Sequence, residues 1–250
     1  MKTKKILIVG GAGRIVEQFV HSLIKENFKI VVADIHIGKL SKIIKRNKEK
    51  IKFIKCNIKK DKNINILIKR SKDFLDQIDA VIYCAYPKSA NWGANFDKIS
   101  RKSINEDLDG QLTSCIIFAQ KIINYFLSIK AGNLIFFSSI LGVHPPKFFH
   151  YKNTNMTCPI EYSATKSAII MVTKYLAKLY LKKNIRVNCL SPGGILDNQN
   201  IKFIRNYKKS CGKKGLLDPQ DLFGTIRYLL SNDSKYLNGQ NIVIDDGWSL

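Results

Sequence analysis

Lys5-Ile6-Leu7-Ile8-Val9-Gly10-Gly11-Ala12-Gly13 decides the fold. Its opening is an apolar run rich in β-branched residues, the composition of a strand buried on both faces of a parallel sheet. The glycines follow at once. After them come Arg14 and a stretch whose apolar residues Ile15, Val16, Phe19 and Leu23 have helical spacing. Strand, glycine turn and helix in that order turn a glycine cluster into a phosphate-binding hypothesis. Glycines let the backbone approach a pyrophosphate, and a helix amino terminus supplies N–H groups and partial positive charge. Gly10, Gly11, Ala12, Gly13, Arg14 and Ile15 are therefore the candidate contacts. A second strand, Lys29-Ile30-Val31-Val32-Ala33, ends in Asp34. That is roughly 20 residues past the glycines, where a carboxylate would receive the ribose hydroxyls of an adenosine.

A second informative stretch is Glu161-Tyr162-Ser163-Ala164-Thr165-Lys166, which opens an apolar helical run. Four residues apart on a helix, Tyr162 and Lys166 project from one face. An ammonium beside a phenol favours the phenolate and is expected to pull the tyrosine pKa down. That would make Tyr162 a proton donor and acceptor at neutral pH. Alone, this spacing is equally that of a solvated helix face.

Taken with the glycine turn, these residues resemble a short-chain dehydrogenase/reductase over essentially the whole chain. The resemblance continues through Asn133–Ser139, an apolar strand ending in serines, through Ile185–Gly194, and through Leu237–Gly247. It implies a single-domain doubly wound parallel α/β sheet of the Rossmann type, about seven strands with helices on both faces. The dinucleotide-binding half would span about residues 1–130 and the catalytic and substrate half about 131–250. Tyr162 would exchange a proton with a substrate oxygen, Lys166 would hold the nicotinamide ribose, and Ser139 would hold the substrate oxygen. Pro192 and Gly193 would lie beside the nicotinamide. Asn57, followed by Ile58, stands where the family has an aspartate near the adenine. Gln111 falls on the family's asparagine, its longer side chain leaving a proton-relay role in doubt. Departures include Val9 and Val16 in the glycine turn. The segment Tyr83-Cys84-Ala85-Tyr86 matches the family pattern only at Ala85, so cofactor contacts there are expected to be backbone-mediated or different. Arg14 would suit the phosphate of NADP, which Asp34 would repel; NAD is favoured and NADP stays open.

Between Ser139 and Tyr162 lie 22 residues, a longer gap than the family's usual one. The segment His144–Pro159 is rich in aromatics, Asn and Thr, which suit a polyhydroxylated substrate. Thr154 and Asn155 are its candidate contacts. The same segment is equally readable as a structural loop whose Phe148 and Phe149 cover a core edge. Its stretch Pro145–Met156, together with Glu161–Ser167 and Leu190–Gln199, resembles reductases of surface-glycan and flagellin modification. That likeness implies a sugar or nucleotide-sugar substrate. A 3-oxoacyl carrier-protein reductase is the alternative, and a non-catalytic dinucleotide sensor a third reading, against which Ser139, Tyr162 and Lys166 all speak.

At 250 residues the chain can bury a large core as one domain. Its net charge of +23 invites a polyanion partner, but the lysines are spread through every segment alongside heavy use of Ile and Asn. Neither nucleic acid nor membrane is expected as a partner. Six cysteines without a C-x-x-C pair read as reduced thiols. Four histidines lack metal-ligand spacing, and no metal is expected. The first strand starts too early to leave room for a signal peptide, which points to the cytoplasm. Two long helices, Ser103–Ile129 and Glu161–Leu181, carry apolar residues on more than one face (Leu112, Ile116, Ile123, Phe126; Ile169, Val172, Leu176, Leu179). They predict a homodimer or homotetramer.

Overall fold

The computed structural model describes residues 4–250, without the side chain of Arg14. The expected contact from Arg14 to an NADP phosphate therefore lies outside the described residues.

Seven parallel strands form one sheet in the order β3-β2-β1-β4-β5-β6-β7. They are β1 (Lys5–Val9), β2 (Lys29–Asp34), β3 (Ile51–Lys55), β4 (Ala80–Tyr83), β5 (Gly132–Phe137), β6 (Ile185–Pro192) and β7 (Asn241–Ile244). Within β1, side chains alternate between the two faces, as a strand requires. Leu7 and Val9 join a core layer with Phe118, Ile122 and Ile169, while Ile6 and Ile8 join one with Phe19, Val20 and Leu40. Helices α3 (Asp61–Leu75), α5 (Ser114–Ile129) and α6 (Ile160–Leu179) cover the first face. The second is covered by α1 (Arg14–Lys25), α2 (Leu40–Arg46) and α8 (Phe223–Leu230). From β1 the chain winds outward through β2 and β3, then returns to place β4 on the other side of β1. The crevice at that reversal, off the carboxyl ends of the strands, is where such sheets bind ligands.

The expected helix Ser103–Ile129 is interrupted. After α4 (Arg101–Leu108) comes a π-turn over Asp109–Thr113, and then α5. Gly110 is the weak point: a Cβ there would lie 3.3 Å from the Pro87 ring, so glycine admits the loop after β4 against the helix while lowering its intrinsic stability. By length and composition, Arg101–Ile129 is apolar enough to cross a membrane. Its Cys115, Phe118, Ile122, Ile123 and Phe126 are core residues against the sheet.

Val16 is buried against the sheet with Phe19 and Val20. Close approach is supplied instead by Gly11, where a Cβ would meet Val32 Cγ1 at 2.3 Å. The fourth strand ends at Tyr83, and Cys84-Ala85-Tyr86 leads out of the sheet, the Cys84 amide still donating to the Val9 carbonyl at 2.9 Å. Of the residues expected on a second apolar helix face, Ile123, Phe126 and Ile169 belong to the core, whereas Ile116 and Leu179 are exposed along with Met171 and Tyr175.

Candidate active site

At the amino end of the cleft, Gly10 has φ +79°, and a Cβ on it would lie 2.3 Å from Ala85 Cα. Only glycine fits there. Gly13 is exposed at the start of α1, and a Cβ on it would have no neighbour closer than 3.6 Å. The helix end is thus open to an anion, as phosphate binding requires. Asp34, at the end of β2, accepts the amide of Ala12 on Oδ2 at 3.0 Å and that of Ile35 on Oδ1 at 2.7 Å. These bonds fix its carboxylate beside the glycine turn. The donor set of glycine backbone, helix terminus and carboxylate fits a dinucleotide. Asn57 spends its Oδ1 on the Lys59 amide at 3.0 Å, and Ile58 is buried in the core. Where the family has a polar residue, Cys84 donates its thiol to the Val9 carbonyl at 3.3 Å. Burial pushes that thiol up to about 12, so it stays neutral and ties β4 to the turn.

The end of the cleft that holds Ser139, Tyr162 and Lys166 is built where β5 meets α6. Ser138 and Ser139 follow β5 directly and divide the work. Ser138 Oγ donates to the Lys166 carbonyl at 2.7 Å, pinning the helix to the strand end. Ser139 caps a short 3-10 turn, Ile140–Gly142, its Oγ accepting the Leu141 amide at 3.2 Å. That turn lies against α6 because residue 142 is glycine; a Cβ would fall 2.6 Å from the Lys166 carbonyl carbon. Lys166 Nζ donates to the Phe137 carbonyl at 3.0 Å.

Ser139, Tyr162, Lys166, Pro192 and Gly193 line one cavity of about 310 Å³. Ile15, Cys84 and Tyr86 line it too, as do His150, Tyr151, Phe203, Tyr207 and Trp248. The sequence pattern assigns no site role to Tyr86, Phe203, Tyr207 or Trp248. The signal for Tyr86 was its departure from the family pattern; none marked the other three.

Two expectations need correction. Lys166 does not dominate the phenol of Tyr162. Burial pushes that phenol up, while the Ser139 hydroxyl pulls it down by hydrogen bonding. Burial likewise pushes Lys166 down, and the neighbouring thiols Cys189, Cys115 and Cys84 oppose this. The ammonium points to the Phe137 carbonyl and has its nitrogen 5.6 Å from the Tyr162 ring centre. Nor do Thr154 and Asn155 line the cavity. Thr154 Oγ1 donates to Tyr151 O at 2.7 Å and accepts from Met156 N at 3.2 Å, so it builds a local turn. Asn155 is exposed. The insertion's contribution to the cavity comes from His150 and Tyr151.

Gln111 lies within the π-turn, and its amide donates to the Pro87 carbonyl at 2.9 Å. The loop it holds has further tethers. Asp107 accepts the Ser89 amide and hydroxyl, both at 2.7 Å, and Thr157 donates to the Gly93 carbonyl at 2.6 Å.

The family model for enoyl-(acyl carrier protein) reductases matches residues 12–249. Post-translational flagellin modification protein A of Campylobacter coli is 36% identical over all of both chains. A 7alpha-hydroxysteroid dehydrogenase of Bacteroides fragilis is 26% identical, covering 100% of this chain and 95% of its own. Among solved structures, a short-chain dehydrogenase from Leptospira borgpetersenii with bound NAD+ superposes with a TM-score of 0.90 at 29% identity, covering 100% of this chain and 94% of that one.

Proposed function

This chain belongs to the short-chain dehydrogenase/reductase family, an NAD(P)-dependent oxidoreductase, and from that premise we propose that it interconverts a carbonyl and a secondary alcohol on a sugar or nucleotide-sugar. The observation that carries the reaction type is the convergence of Ser139, Tyr162 and Lys166 on one cavity whose other wall is Pro192-Gly193. In the oxidation direction Tyr162, as phenolate, takes the hydroxyl proton of the substrate, and in reduction the phenol returns it to the carbonyl oxygen. Ser139 donates its hydroxyl hydrogen to that oxygen, and this bond strengthens as charge develops there. Lys166 would hold the ribose of a bound dinucleotide, and its ammonium places positive charge 5.6 Å from the Tyr162 ring centre. A nicotinamide held in this cleft would supply or accept the hydride.

The sugar reading rests on the lining of the cavity. Tyr151, Phe203, Tyr207 and Trp248 give the cavity an aromatic lining, which suits the C–H side of a pyranose ring. Trp248 Nε1 is buried and has no hydrogen-bond partner among the described residues, which leaves a donor for a substrate hydroxyl. The relation to a flagellin modification protein favours the same class. NAD is the preferred cofactor, because the carboxylate of Asp34 stands beside the glycine turn and would repel a ribose phosphate. The exposed apolar residues Met171, Tyr175 and Leu179 on α6 suit a second copy of the chain. The deciding experiment assays nucleotide-sugars and acyl thioesters with NAD(H) and NADP(H), following nicotinamide absorbance. Turnover of acyl thioesters in preference to every sugar overturns the substrate assignment.

A further inference from the structure

Tyr86 stands one residue beyond Ala85, on the loop that carries the chain from β4 towards α4. Its ring meets that of Tyr162 edge-on, with centres 5.3 Å apart and planes at 75°. Trp92 backs both rings, 5.2 Å from Tyr86 and 5.9 Å from Tyr162. The Lys166 nitrogen lies 5.2 Å from the Tyr86 ring centre and 5.6 Å from that of Tyr162. A cation within about 6 Å of an aromatic face is attracted by the ring quadrupole, and more strongly where water is excluded. Lys166 is 7% exposed, and among the described residues its ammonium donates to one acceptor, the Phe137 carbonyl. The aromatic rings therefore supply stabilisation that water would otherwise give.

We propose that Tyr86 is a positioning residue of this site: its ring and that of Tyr162 form a two-sided aromatic seat that keeps the Lys166 ammonium protonated against the Phe137 carbonyl. The seat is held rigidly. Gln111, Asp107 and Thr157 anchor the Tyr86 loop at Pro87, Ser89 and Gly93 respectively. The ring and not the hydroxyl does the work, since the Tyr86 hydroxyl is buried with no partner among the described residues. Around the seat, the other ionisable groups are Cys84 beyond β4, Cys115 on α5, Cys189 on β6 and Cys158 before α6. Asp107 on α4, Glu161 on α6 and Lys88 on the loop face Tyr86 from its other sides. Removing the ring lets burial strip the proton from Lys166 more readily, and Tyr162 then ionises at higher pH.

The proposal rests on reading Tyr162 and Lys166 as the reacting pair, yet its test needs no substrate, so the two can fail separately. Protein carrying tyrosine isotope-labelled at Cζ is titrated by nuclear magnetic resonance, the Tyr162 signal being identified by its loss in Tyr162→Phe. Tyr86→Leu should raise the Tyr162 midpoint by about half to one pH unit, while Tyr86→Phe leaves it in place. In a Lys166→Met background, Tyr86→Leu should cause no further shift, because the ring acts through the cation. Tyr86→Met repeats the test with a longer side chain that keeps the loop packed. An unmoved or lowered midpoint in both ring-deleting variants overturns the proposal. So does a shift of equal size in Tyr86→Phe, or one that persists without Lys166.

Discussion

The carboxamide nitrogen of Gln111 lies 2.9 Å from the carbonyl oxygen of Pro87, so the π-turn in the longest helical segment is tied to the loop that walls the active site. The tie needs the full length of glutamine. Gln111→Asn should break it and leave the Pro87 carbonyl short of a donor, costing about 1 kcal/mol of stability. Urea unfolding of the two proteins measures the loss. Equal midpoints would show that the bond carries no net stability.

Tyr162→Phe removes the hydroxyl proposed to exchange a proton beside Ser139 while keeping the ring contacts to Tyr86 and Trp92. Turnover should fall by ~10²–10⁴-fold, the usual span for general acid–base groups. NADH binding, followed by fluorescence, should change little. Wild-type turnover in this variant would refute the assigned chemistry.

Asp34→Ala deletes the carboxylate that accepts the Ala12 and Ile35 amides. NAD should bind more weakly and NADP more tightly, narrowing or reversing the preference. Calorimetric titration of both cofactors against both proteins decides it. Tighter NADP than NAD binding by the wild type would assign the choice to another group.

His150 is 1% exposed, its Nε2 sits 2.9 Å from Ser210 Oγ, and burial, helped by the Lys147 charge, pushes its pKa down to about 4 from 6.5. The folded state therefore prefers the neutral ring. The stability this confers is complete above about pH 6.5 and is lost as pH falls towards 4. Over that window the loss amounts to up to about 3 kcal/mol. His150→Phe should flatten this part of the stability–pH curve in thermal unfolding. An unchanged slope would mean that other groups set the acid sensitivity.

Tyr151→Ala should raise KM for a sugar substrate by about 5- to 100-fold, the effect of a lost contact of 1–3 kcal/mol. Asn155→Ala should leave it unchanged, because that side chain is exposed and outside the cavity. Steady-state kinetics on the two variants separate a substrate wall from a structural brace. An equal rise in both would return the role to the polar end of the insertion.

The fold was legible because the buried strands spell themselves out: Lys5–Val9, Lys29–Asp34 and Asn133–Phe137 are apolar runs that need no tertiary context. The glycine turn and the Tyr162–Lys166 spacing were legible for the same reason, each being fixed by local geometry. What escaped depended on distance in sequence. Phe203, Tyr207 and Trp248 reach the cavity only because α7 (Ile201–Lys208) and the carboxyl-terminal segment fold back over it. Thr154 and Asn155 had the right chemistry, but a turn consumed one and solvent took the other. The direction of the Tyr162 pKa was not legible because spacing on a helix says nothing about burial, which here pushes the phenol up.

The contact at Gly10 has a consequence for how this protein can change. Ala85 Cα and the Cys84 carbonyl carbon would lie 2.3 and 2.7 Å from any Cβ placed there, so main chain rests on main chain with no side chain between them. A clash between side chains can be relieved by trimming either partner; this one cannot, since neither side has anything to trim. The turn facing the cofactor and the loop leading to Tyr86 must therefore shift together or not at all. Variation in substrate choice falls more easily on positions such as Tyr151, Phe203 and Trp248, which line the cleft with replaceable side chains.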